Sequence, residues 1–103
     1  MRTEAELANA LVSLHPAERL AEDPYLSRAL ALSFMVIGEV ATKMPEDFRR
    51  GHPEIAWNEA KALRNRIAHG YRTIVPIVLI NSAREDLPKL IQQIDALLKD
   101  LEA

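Results

Sequence analysis

Eight consecutive residues, Arg64-Asn65-Arg66-Ile67-Ala68-His69-Gly70-Tyr71, hold two guanidinium groups, an imidazole and a phenol. From Lys61 to Arg72 there are four Lys/Arg, one His and no acid. The whole chain has a formal charge of −2, so the remainder carries −6 against this +4. A positive patch on an acidic protein suits an anion, most simply a phosphate. Arg presents a planar donor fork to phosphate oxygens. His exchanges protons near neutral pH. Arg64 and His69 could therefore serve phosphoryl chemistry without a metal, His69 as base or acid and Arg64 as stabiliser of transition-state charge. A helix-end reading competes. Basic residues near a helix C-terminus complement the macrodipole, and Gly70 just beyond the helix would end it for backbone reasons alone.

Geometry limits what one copy of this segment can do. Arg64 and His69 are five residues apart. On an ideal helix they project roughly 140° away from each other. Either the helix loosens near Gly70, or two copies face each other and share their groups in one cleft. Asn65 and His69, at i and i+4, do share a face. Asn65 could orient the imidazole or bind a substrate oxygen. Arg64 lies on the flank of the apolar stripe, where its stem can pack on apolar surface.

The elements that must position these groups read as helices throughout. Thr3-x-x-Glu6 predicts a capping box opening a short helix to about Leu14. Residues 15–24, with Pro16 and Pro24, predict a connection holding at most a helical turn. A second helix is expected from Pro24 to about Met44. Its apolar positions, among them Leu26, Leu30, Leu32, Val36, Ile37 and Val40, cover roughly 200° of the circumference. That is wider than one core face needs, and points to a second copy or a central place in a bundle. Pro45 to Ile55 reads as a polar connector. A third major helix is expected from Ala56 to His69, with Trp57, Ala60, Leu63 and Ile67 as its core stripe. Thr73 can cap a last segment, with Pro76 in its first turn. Helical spacing from Ile80 through Leu87, Leu90, Ile94 and Leu97 to Leu101 carries it to the C-terminus, with a kink expected at Pro88. The fold class predicted is all-α, an antiparallel bundle of four to five helices forming one domain over residues 1–103.

Composition excludes several functions. There is no Cys, hence no disulfide, thiolate metal site or Cys nucleophile, which fits a reducing cytoplasm. No apolar run approaches transmembrane length, and no signal-peptide layout is expected. The pI near 5.9 argues against broad electrostatic capture of nucleic acid, so any such contact should be local. His15 and His52 each precede a proline and read as loop residues rather than metal ligands. Glu39 reads as an exposed or ion-paired residue on the polar side of the second helix, with a smaller claim to supporting the cleft.

The segment from Glu54 to Tyr71, Glu-Ile-Ala-Trp-x5-Leu-Arg-Asn-Arg-Ile-Ala-His-Gly-Tyr, resembles the signature of the HEPN superfamily. More narrowly it resembles the HepT-like (DUF86) group, with its Arg-x4-His-x-Tyr motif at Arg64, His69 and Tyr71. Ile37-Gly38-Glu39, His52-Pro53-Glu54-Ile55 and Asp86-Leu87-Pro88-x-Leu90 match the group as well. The resemblance covers roughly residues 26–100. It implies a dimeric helical bundle whose Arg-x4-His motifs line a shared cleft. It further implies a metal-independent endoribonuclease without cofactor, the toxin half of a toxin–antitoxin pair. Arg64 and His69 would be catalytic, with Asn65 and Arg66 in support. The partner implied is a minimal nucleotidyltransferase antitoxin that adenylylates Tyr71 and blocks the RNase. A non-catalytic module that presents Tyr71, or a nucleotide-sized cleft, to the same partner is the alternative. Two features depart from the group. The region before residue 24 is short and broken by proline, and Arg72-Thr73 stand where relatives often show an aromatic and an acid.

Overall fold

A computed structural model describes residues 1–71 and 76–102. Among these residues there are six helices and no strand: α1 Arg2–Leu14, α2 Ala17–Glu22, α3 Pro24–Lys43, α4 Glu46–Gly51, α5 Trp57–Gly70 and α6 Pro76–Glu102. The predicted cap at Thr73 lies outside the described residues.

Local chemistry accounts for the long helices. Asp23 caps α3, its side chain accepting from the backbone N–H of Tyr25 at 2.8 Å and of Leu26 at 3.4 Å. Pro24 occupies the first turn, where its missing N–H costs nothing. At the other end Met44 is extended ahead of Pro45, and the helix stops. The end of α1 is satisfied from a distance: Arg84 Nη2 on α6 donates to the carbonyls of His15 at 3.2 Å and Val12 at 3.4 Å. At the start of α1, Arg2 pairs with Asp95 of α6 and with Glu6. Hydrogen bonding to Arg2 holds the Asp95 carboxyl below its ordinary range, and the same bond raises Arg2. These two ties make α1 and α6 antiparallel.

α3 is the central element and packs against α1, α2, α5 and α6. One buried cluster joins Ala5, Ala8 and Val12 of α1 with Leu30 and Phe34 of α3 and Ile80 and Leu87 of α6. A smaller one gathers Ala41, Ile55, Trp57 and Leu97 at the α3 C-terminal end. There the Trp57 indole N–H donates to the carbonyl of His52 at 2.9 Å, and Phe48 lies against the His52 ring. His52 is thus half-buried, with Nδ1 3.5 Å from Glu54 Oε1, rather than a plain loop residue.

Five expectations are corrected. The capping box does not form: α1 begins two residues earlier with Met1 at the cap position and no side-chain cap bond, so Thr3 lies inside the first turn. Residues 17–22 form a six-residue helix, longer than one turn, because Leu20 is driven into the core. The connector after Pro45 contains α4, started by proline and by Glu46 and Asp47 in the first turn. α5 runs through Gly70 to a Tyr71 cap in right-handed helical conformation, and no described glycine has positive φ, so Gly70 does not stop the helix as expected. Finally, α3 does have the length and apolarity of a membrane span, with mean hydropathy 1.2 and 39% of that window buried. Its buried side, packed on other helices, is what a central core helix presents.

The closest approach in the fold is between α3 and α5. A Cβ added to Gly38 would fall 2.8 Å from the Ala60 carbonyl oxygen and well inside contact with the Arg64 Cβ. Only glycine lets the two backbones come this near. Gly38→Ala should force the helices apart at a cost of about 1–3 kcal/mol, the usual scale of overpacking. Gly51→Ala, with nothing within 4 Å of the added Cβ, should stay within about 0.5 kcal/mol. Urea unfolding of both variants beside the wild type measures the difference.

Candidate functional site

Arg64 leaves α5 where that helix crosses Gly38, and its stem lies along the gap the glycine opens. The head reaches Glu39, one residue further along α3, and Nη2 forms an ion pair with Oε1. Nη1 donates to Asn65 Oδ1 at 2.8 Å. Nε is buried without an acceptor among the described residues. The Arg64 and Glu39 side chains are 30% and 37% exposed. The guanidinium is therefore anchored yet within reach of solvent. A pair this exposed contributes under about 1 kcal/mol to stability, so its consequence is orientation more than energy.

Asn65 is half-buried, and its Oδ1 is turned to Arg64 rather than to His69. His69 is exposed in the last turn of α5, and Arg66 is exposed as well. Among the described residues no hydrogen bond or ion pair joins Arg64 to His69, in keeping with their angular separation on a straight helix. A cleft of about 310 Å³ opens between α3, α5 and α6, but its lining includes Phe34, Leu63, Leu87 and Leu90 and neither Arg64 nor His69. This cleft is thus apart from the candidate chemistry.

Tyr71 is half-buried at the end of α5, its ring against the main core cluster. Its hydroxyl lies 3.3 Å from Ser27 Oγ near the start of α3. Antiparallel packing brings these two residues together from 44 positions apart, and no local signal in the sequence pointed to Ser27.

The surface beside the Glu39–Arg64 pair is apolar. Tyr25, Leu32 and Glu39 recur at seven-residue spacing and share one side of α3. Tyr25 is 82% and Leu32 64% exposed. Part of the wide apolar arc predicted for this helix therefore remains uncovered by the chain itself.

Stem and head of Arg64 do separate work, and mutation can divide them. Arg64→Met keeps the packed stem and loses the charge, so it should cost less than about 1 kcal/mol. Arg64→Ala loses the packing beside Gly38 too and should cost about 1 kcal/mol more. Urea midpoints at constant slope give both values.

Comparison with known proteins now bears on this geometry. The HepT-like ribonuclease family matches residues 1–97. A protein of Caldanaerobacter subterraneus subsp. tengcongensis, provisionally named as an RNase, is 28% identical over 82 residues, 80% of this chain and 73% of its own. A Thermococcus cleftensis protein, provisionally named ribonuclease HepT, is 35% identical over 71 residues, 69% of this chain and 64% of its own. A Methanocaldococcus jannaschii protein, also provisionally named as an RNase, is 30% identical over 81 residues, 79% of this chain and 67% of its own. No solved structure gives a significant match. A match over nearly the whole chain, which takes in α3 and α5 with its Arg64–Tyr71 segment, places this all-α protein in the HepT-like ribonuclease family.

Proposed function

We propose that the chain is a metal-independent endoribonuclease in which Arg64 and His69 carry the chemistry and two copies build the cleft. The observation that carries this reading is the anchored but solvent-reached Arg64 on the helix whose last turn exposes His69. Cleavage of RNA by its own 2′-hydroxyl needs a base for that proton, donors for the charged phosphorane and an acid for the departing 5′-oxygen. His69 serves as base or acid. Arg64 stabilises the phosphorane, with Asn65 and Arg66 in support. The products are a 2′,3′-cyclic phosphate and a 5′-hydroxyl. The uncovered apolar side of α3 beside Glu39 supports the dimer, because a second copy there would cover Tyr25 and Leu32. In this reading the chain is the toxin of a cytoplasmic toxin–antitoxin pair, silenced when a minimal nucleotidyltransferase adenylylates Tyr71.

The Arg64–Glu39 pair also favours a second reading, a non-catalytic module that binds the same transferase, because the pair engages the guanidinium internally. Incubation of pure protein with RNA separates the two. The nuclease predicts cleavage that resists chelator and leaves cyclic phosphate ends. His69→Ala and Arg64→Ala, folded by circular dichroism, should each lose about 10²–10⁴-fold in rate. Unchanged cleavage by either variant assigns the activity to another site or a contaminant. No cleavage by a wild type that still binds the transferase supports the binding module.

The assembly has its own test. Leu32→Asp and Val36→Asp place a charge on the uncovered side of α3 and should shift dimer to monomer at micromolar concentration in sedimentation. A wild type that sediments as a stable monomer rejects the shared cleft.

A further inference from the structure

Two hydrogen bonds at the start of α3 tie down the Tyr71 hydroxyl. Ser27 Oγ donates to the Pro24 carbonyl at 3.3 Å, and Ser27 Oγ and Tyr71 Oη lie 3.3 Å apart. A serine hydroxyl has one proton and two lone pairs. Either hydroxyl of the Ser27–Tyr71 pair can supply the shared proton; when the Ser27 proton lies on the Pro24 carbonyl, Ser27 accepts from Tyr71. In both arrangements the contact fixes the place of the phenol oxygen against the first turns of α3. The ring cannot swing freely, because it packs against the core cluster. Tyr71 is in this respect unlike Tyr25, the other tyrosine of the chain, which is 82% exposed.

We propose that Ser27 is a positioning residue for Tyr71, holding the phenol oxygen in one place for an incoming electrophile. The inference rests on the reading of Tyr71 as adenylyl acceptor given above. In that transfer the Tyr71 oxygen bonds to the α-phosphorus of ATP as the bond from that phosphorus to the bridging oxygen breaks. Pyrophosphate leaves, and the phenol proton is lost to water. Ser27 touches neither ATP nor the transferase in this account. It removes unproductive orientations of the hydroxyl before the encounter, which is where preorganisation acts on rate.

The test compares wild type with Ser27→Ala, Ser27→Thr and Tyr71→Phe, each with ATP and a minimal nucleotidyltransferase that turns over ATP. Adenylyl mass is followed by intact-mass and peptide mass spectrometry. Ser27→Ala should lower kcat about three- to tenfold, the worth of one neutral hydrogen bond. The KM for the protein substrate should stay unchanged, and Ser27→Thr should restore the rate. Unchanged kcat in Ser27→Ala, a loss through KM alone, or failure of a folded Ser27→Thr to restore it overturns the proposal. If an active transferase leaves wild-type Tyr71 unmodified, the acceptor reading itself fails. The Ser27 claim is then decided by a small electrophile, N-acetylimidazole, with Tyr25 as internal reference. A lower ratio of Tyr71 to Tyr25 acetylation in Ser27→Ala than in wild type upholds it. An equal or higher ratio rejects it.

Discussion

The contact between α3 and α5 at Gly38 is the constraint on which the candidate site depends. A hydrogen in place of a side chain allows the Ala60 carbonyl and the Arg64 stem to lie against the α3 backbone. Because Glu39 follows Gly38 directly, the same approach puts a carboxylate within reach of the guanidinium. A wider crossing would leave Arg64 as one more solvated surface arginine. The glycine thus acts on the chemistry through packing, although it bears no reactive group.

This seam also sets what a single copy can offer. Arg64 and Asn65 are drawn toward α3, while His69 remains on the exposed part of the helix circumference. A straight helix has no means of closing that angle. The apolar strip through Tyr25 and Leu32 runs alongside the charged pair. Burying it against a like surface would remove apolar area from water beside the Arg64–Glu39 pair.

The far end of α5 is tied down by different means. Tyr71 continues the helix in place of a glycine stop, so its ring stays with the bundle and its hydroxyl meets the first turns of α3. α3 therefore holds both ends of the segment, Arg64 through Gly38 and Glu39, and Tyr71 through Ser27.

Much of this was legible in the residues. Apolar spacing of 3.6 placed α3, α5 and α6 with nearly correct bounds, since long amphipathic helices reflect a periodic demand for burial. The Arg-x4-His-x-Tyr pattern and its flanking motifs marked the family before any coordinates. Short elements were misread: α4 and α2 have too few residues for a period to show, and the Thr3–Glu6 box competed with a helix already begun at Arg2. Gly70 was read as a stop because glycine tolerates positive φ, yet tolerance is not obligation, and Gly70 is the last residue of the helix with Tyr71 as its right-handed cap. What only the tertiary structure decided is which distant residues meet. Glu39 with Arg64, and Ser27 with Tyr71, are pairings across two antiparallel helices. They depend on the register of that packing, which is set by the closeness that Gly38 permits and not by any property local to either residue in the pair.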